Sequence, residues 1–413
     1  MRLYIDPGTG SMLFAVLLGV LGVLWFALKG AWLKLKFLLS GGKAKEKDTA
    51  GVPLAIFSEG KRYWHVFEPI CKELDERGIE TVYLTESPDD PALSTPFSHI
   101  KTEFIGLGNK AYAKLNLLNA RICLATTPGL DVYQWKRSKH VEYYVHMLHA
   151  LRGVTTYRMF GTEFYDAILT SAEVDNIPIR EMEEKRGSKP KELVTVGSVL
   201  MDHLAARYAA EKDSGKHEGV NVLLAPSWGP NSIFNRFGDR VIEALLSTGC
   251  DITIRPHPQS FTAEKELMDR MQSKYPESEH LHWNRDADNF DVLNRTDLLI
   301  SDYSSVIFDF AFIFDRPVIY ADVRMDWSVY DQSWCDTPNY HLSALPRIGL
   351  ELKEENFGNM KAVIDNLLQD ASYAESRRAV RDECWQHQGE AAKRIADFLV
   401  RKNAELILNS NGK

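Results

Sequence analysis

Three short segments of this sequence combine residue types and spacings that could do chemistry. The first is ISDYSSVIFDF, residues 300–310. A buried strand, DLLIS, is expected to end in Asp302, Tyr303, Ser304 and Ser305, where an apolar helix, VIFDFAFIF, begins. Amides in the first turn of a helix have no internal partner and lie at the positive end of its dipole. A phosphate placed there meets ready-made donors. Ser304 and Ser305 add hydroxyls, and small side chains admit close approach. Asp302, Ser304 and Ser305 are therefore candidate substrate contacts. Ordinary capping of the helix by the same three residues is the competing reading.

The second segment, TIRPHP at 253–258, ends a strand at a histidine held between Pro256 and Pro258. The prolines restrict the backbone, so His257 is aimed rather than free. It suits either donation to a diphosphate or protonation of a leaving phosphate; a loop histidine without a role is the plain alternative. Arg255 either brings charge to the same place or is solvated. The third segment is YYVHMLHALRG, residues 143–153. His149 sits just past a strand end, where a base facing a cleft belongs. His146, inside the strand, reads as a core histidine. The sequence contains no carboxylate pair, metal-ligand cluster, GxGxxG, Walker sequence or GxSxG elbow, so neither metal nor cofactor is expected.

The elements that must hold these segments follow from the apolar pattern. Strands are expected at 52–58, 81–85, within HIKTEFIG, and at 120–127, 141–148, 166–172 and 193–198, with helices at 63–77 and 109–119. The pattern then restarts. Strands are expected at 221–227, 251–257, LHW, 297–302 and 317–321, helices at 235–247 and 264–275, and a mostly helical C-terminus at 374–408. This alternation predicts parallel, doubly wound sheets. Two Rossmann-like halves suggest the GT-B architecture, with ligands at the carboxyl ends of the strands, in the cleft between halves. The expected units are 1–48 as an anchor, 49–203 as an acceptor domain and 218–408 as a donor domain. The boundary falls near the polar EKDSGKHEG.

Composition narrows the function class. The 413 residues are 45% hydrophobic and 26% charged, with a net charge of −8. An acidic chain argues against nucleic acid as the main partner. Cys71, Cys123, Cys250, Cys335 and Cys384 are scattered and odd in number, which predicts free thiols rather than a disulfide framework or zinc site. Residues 7–28 carry no charge and contain SMLFAVLLGVLGVLWFAL, long enough to cross about 30 Å of hydrocarbon. The start, MRLYIDPGTG, does not resemble a signal peptide. Lys29, Lys34, Lys36, Lys43, Lys45 and Lys47 follow, against Arg2 before it. The positive-inside rule then puts the rest of the chain on the cytoplasmic side of the inner membrane. A basic amphipathic helix lying on that surface is the alternative.

ISDYSSVIFDF with DRPVIYA (315–321), RPHP, the strand-end histidine, APSW (225–228) and VGSVLMD (196–202) together resemble the CDP-glycerol glycerophosphotransferase family, which includes teichoic acid primases and polymerases. The resemblance implies a GT-B fold, phosphotransfer without a metal and a CDP-alcohol donor. His257 falls on the family's R-x-H-P histidine, a contact of the donor phosphates, and Ser304 and Ser305 fall on the pair at the diphosphate helix. His149 falls on the histidine of W-H-G-T-P, the base, although the segment reads L-H-A-L-R here and leaves the acceptor open. Ser227 falls in Y-x-P-T-[WF], read L-A-P-S-W, and lines a cytidine or phosphate pocket. Gly197 and Asp202, in a degenerate G-x-P-R-x-D, are structural. The implied reaction moves glycerol phosphate from CDP-glycerol to a hydroxyl of a membrane-associated glycan or polymer, releasing CMP. A nucleotide-sugar glycosyltransferase of the same architecture and a non-catalytic binding module are the alternatives.

Overall fold

The computed structural model describes residues 51–211, 218–286, 288–322 and 324–411. The expected span at 7–28 and the basic segment after it lie outside the described residues. No helix among the described residues is long and apolar enough to cross a membrane.

Short β-branched and apolar runs form the strands, and they pair in two wholly parallel sheets. The first holds β1 (Val52–Ser58), β2 (Thr81–Thr85), β3 (Ile100–Phe104), β4 (Ala120–Ala125), β5 (Val141–Met147), β6 (Ala167–Thr170) and β7 (Glu192–Thr195), in the order β3-β2-β1-β4-β5-β6-β7. The second holds β8 (Asn221–Ala225), β9 (Asp251–Ile254), β10 (Leu281–Trp283), β11 (Leu298–Ser301), β12 (Val318–Ala321) and β13 (Leu350–Leu352), ordered β10-β9-β8-β11-β12-β13. Parallel neighbours need crossovers, and crossover helices cover both faces. This is why the central strands read as continuous apolar runs: all four residues of β11 are buried. In each sheet the order reverses once, between β1 and β4 and between β8 and β11.

Most expected elements stand within a few residues of their predicted bounds. The helix expected at 235–247 is two helices, Ile233–Phe237 and Asp239–Leu246, broken at Gly238, whose φ of 58° a side chain tolerates poorly. The three-residue β13 is too short to carry a pattern. The expected second unit, 218–408, needs correction at its end. The helix Ser372–Cys384 packs in the second half through Val380 and Cys384. The last helix, Ala391–Asn411, returns to the first sheet and sets Ile395, Phe398 and Leu399 beside Leu54, Ile70 and Ile122. An open sheet must cover both faces, and this helix completes the cover.

Asp202 secures that return. Its carboxylate accepts from Trp385 Nε1 (3.0 Å) and from the amides of Gly389 (2.8 Å) and Ala391 (2.9 Å). Gly197 lies where a Cβ would meet the carbonyl oxygen of Gln386 at 2.6 Å. Both residues are structural, as expected. Cys71, Cys123, Cys250 and Cys384 are buried free thiols, and Cys335 is half-buried.

Candidate functional site

At the β8/β11 reversal the chain leaves two adjacent strands in opposite directions and opens a crevice at their carboxyl ends. Ser227 follows β8, His257 follows β9, and Ser304 and Ser305 follow β11. These four residues border one cavity of about 490 Å³. The first half contributes Arg152 and Thr156 to the same lining, and a loop of the second half contributes Asp326 and Tyr330.

The turn after β11 is built from inside. Asp302 is fully buried and does not line the cavity. Its carboxylate accepts from the Ser227 amide (3.0 and 3.1 Å) and the Ile233 amide (3.1 Å). Burial raises its pKa, and the Ser227 side chain, followed by these amides, opposes the rise. The expected substrate contact is therefore a brace that fixes the β8 turn beside the β11 turn. Ser301 Oγ adds a bond to Ala225 O (2.6 Å), and Tyr303 Oη one to Trp228 O (2.6 Å).

With Asp302 occupied inward, Ser304 and Ser305 stand at the start of the helix Val306–Ile313. Its first internal bonds run from the Ile307 amide to Ser304 O and from the Phe308 amide to Ser305 O. The amides before these have no partner within the helix, and Ser305 makes no side-chain cap. The competing reading, side-chain capping, survives only as a long contact of 3.5 Å from the Val306 amide to Ser304 Oγ. Ser227 Oγ is buried at the cavity wall, beside the Asp302 carboxylate and the Tyr303 hydroxyl.

His257 projects into the cavity and is exposed there. Its Nδ1 accepts from the Gln259 amide (3.1 Å). In the neutral ring the proton then resides on Nε2, which is free to donate. Desolvation, followed by the charge of Arg152, lowers its pKa below the usual imidazole value. Arg255 does not line the cavity. Its guanidinium is held by Asn284 Oδ1 and, at 2.8 Å, by Asp286 O. β9 ends at Ile254, so the strand's alternation does not carry through to Arg255 and His257, and Arg255 braces the loop after β10 instead.

His149 is half-buried and is not among the residues that line the cavity. Its ring packs at 4.9 Å from the ring of Tyr63, and its Nδ1 is buried without a partner. Burial, then the charges of Arg152 and Arg62, push its pKa down to about 4, so it is neutral near pH 7. His146 is a core histidine, fully buried, with Nε2 3.2 Å from Tyr157 Oη.

The two halves are stitched beside the site. Asp331 accepts from the amides of Phe160 (2.7 Å) and Gly161 (3.1 Å) and pairs with Arg186 at 2.5 Å. The Asp331 amide donates to Tyr157 O (2.9 Å), and the Met159 amide to Val329 O (3.1 Å). Sequence reasoning missed Arg152, Thr156, Trp228 and the 325–330 loop. Arg152 and Trp228 lay inside segments already singled out; the loop carries no motif at all. A larger cavity of about 640 Å³, bordered by Tyr320, Trp327 and Glu351, shares none of the predicted site residues.

Comparison with known proteins agrees with this architecture. The family model described as CDP-glycerol:poly(glycerophosphate) glycerophosphotransferase matches residues 180–401, more than half of the chain. Among solved structures, the wall teichoic acid polymerase TagF is 17% identical, with a TM-score of 0.57, covering 88% of this chain and 92% of that one. A TagF variant soaked with CDPG is 16% identical, with a TM-score of 0.55 and the same coverage. The UDP-GlcNAc 2-epimerase of Neisseria meningitidis bound to UDP-GlcNAc is 14% identical, with a TM-score of 0.54, covering 84% of this chain and 99% of that one. At these identities the structures share the fold. None of the curated proteins compared matches the chain.

Proposed function

The chain belongs to the CDP-glycerol:poly(glycerophosphate) glycerophosphotransferase family, and from that premise we propose that its cavity binds a CDP-alcohol, CDP-glycerol first, and passes the alcohol phosphate to an acceptor hydroxyl with release of CMP. The observation that carries this reading is the convergence of Ser227, His257, Ser304, Ser305 and a helix start on one cavity at the β8/β11 reversal.

The acceptor oxygen attacks the β-phosphorus and forms a new O–P bond. The bond from that phosphorus to the bridging oxygen breaks, and its electron pair leaves with CMP. Phosphoryl transfer asks mainly for positioning and charge stabilisation. The helix start, both serines and His257 Nε2–H supply donors for the diphosphate. Trp228, exposed at the rim, offers a ring face on which a pyrimidine can stack. In this reading the acceptor hydroxyl enters from the His149 side, outside the cavity lining, and His149 takes its proton. It is already in the neutral form a base needs. A bound diphosphate offsets the Arg152 charge that helps hold its basicity down.

The acceptor in this reading is a membrane-associated glycan or polymer, with residues 7–28 as a span in the inner membrane and the catalytic part cytoplasmic. An enzyme held at the membrane meets a lipid-linked acceptor at high effective concentration. The test is a donor screen on the purified full chain with acceptor membranes. CMP release from CDP-glycerol or CDP-ribitol is expected, and no UDP from UDP-sugars. UDP release alone would move the chain to the glycosyltransferase reading, and CDP-glycerol binding without turnover to the binding-module reading.

A further inference from the structure

We propose that Arg152, the guanidinium that the first half places in the cavity, contacts the donor diphosphate and takes up charge that builds on CMP as the bridging bond breaks; this rests on the reading that the cavity holds a CDP-alcohol.

Arg152 lines the cavity together with His257, Ser304 and Ser305 and is the one lysine or arginine among its described lining residues. Among the described residues no carboxylate pairs with it; the groups that bear on it are the hydroxyls of Tyr157, Tyr330 and Tyr303. Its side chain is open to the cavity, although protein walls surround it. The carboxylate in the same lining, Asp326, is turned to its own loop and accepts from the Ser328 amide (2.9 Å). A cation that faces a cavity without a counter-ion is available to an anion. A planar guanidinium can grip two phosphate oxygens at once.

The backbone around Arg152 is fixed rather than loose. Gly153 lies beside Asp175, Asn339 and His341, which would be in ordinary contact with a Cβ there, at 3.4 to 3.7 Å. Asn339 Nδ2 donates to Thr155 Oγ1 (3.1 Å). The ring of His341 lies 5.5 Å from that of Phe308, on the helix whose start borders the cavity. One buried polar group thus ties the arginine's loop to the phosphate-facing helix, across the two halves. The reaction itself supplies the anion. As the β-phosphorus is captured, the leaving oxygen keeps the electron pair, and negative charge grows where this guanidinium can meet it.

The experiment uses the full chain, CDP-glycerol and acceptor membranes, with Arg152→Ala and Arg152→Lys compared by kcat/KM, by calorimetric affinity for CDP-glycerol and by thermal melting. Arg152→Ala is expected to lose about 100-fold or more in kcat/KM, on the scale of one lost transition-state donor. Arg152→Lys should recover part of this, and added guanidinium ion at low concentration should partly rescue the alanine variant. Arg152→Ala within threefold of the parent overturns the proposal. So does an equal loss in both variants that guanidinium does not relieve, since that marks a structural role. A parent chain that neither binds nor turns over CDP-glycerol overturns the donor assignment itself, a different failure from an active parent whose alanine variant is equally active.

Discussion

His257 enters the cavity with one ring nitrogen already committed. The Gln259 amide occupies Nδ1, so in the neutral ring the remaining proton is on Nε2. The ring's lowered pKa keeps it neutral at pH 7. It therefore serves as a hydrogen-bond donor first, and as an acid only to the extent that bound phosphate raises its basicity. His257→Ala is expected to lower kcat/KM about 100- to 1,000-fold with little change in melting temperature, because its imidazole is exposed and holds no core contact. His149→Ala should cost about as much in turnover as a lost general base. It should also lower stability measurably, because its ring is packed on Tyr63. Steady-state kinetics beside melting curves separate the two patterns. Full activity in either variant removes the role given to that histidine.

The helix Val306–Ile313 shows how an element can be chosen for what its first turn offers. Seven of its eight residues are buried, from Ile307 to Ile313, so it is clamped in place by packing and its N-terminal end cannot drift. One of those buried residues is Asp309, whose Oδ1 has no partner and whose pKa burial pushes up to about 7. The unfolded carboxyl ionises near 3.8. Folding therefore takes up a proton between about pH 4 and 7. By linkage, this carboxyl costs nothing below pH 4 and costs progressively more as pH rises toward 7, by a few kcal/mol (about 1.4 per pKa unit). Asp309→Asn should therefore raise the melting temperature at pH 8 and change it little at pH 4.5. A gain of equal size at both pH values would remove ionisation as the cause.

At the scale of the molecule, buried polar groups on loops beside the cavity join the two halves. Asp331 is the densest of these, accepting two amides of the first half and the Arg186 guanidinium. Removing one partner of a buried pair strands the other. Asp331→Ala should destabilise the chain by about 3–5 kcal/mol and, in limited proteolysis, expose the segment around 154–161. Asp331→Asn keeps the shape and should lie between the two. Melting that moves by less than 1 °C would mean that the halves are held elsewhere. The returning helix Ala391–Asn411 is the other tie, and it makes the first half dependent on the last residues of the chain.

What was legible in the sequence was whatever depends on local pattern. Apolar runs of strand length marked the two parallel sheets, and the serine pair at the start of an apolar helix marked a turn that borders the cavity. Proline on both sides of His257 marked an aimed side chain. The direction of a side chain was not legible, because it depends on register and on partners distant in sequence. Asp302 and Ser304 are two residues apart, yet one braces Ser227 and Ile233 inside the wall while the other borders the cavity. Arg255 and His257 divide in the same way, the arginine held by the loop after β10. Arg152 could not be ranked above its neighbours until the first half was folded against the second. The final helix could not be assigned to the first sheet until the uncovered face of that sheet was visible. Local pattern set the elements. Only tertiary packing, which decides which faces need covering and which charges are left without partners, decided how the cleft is closed and which cation waits in it.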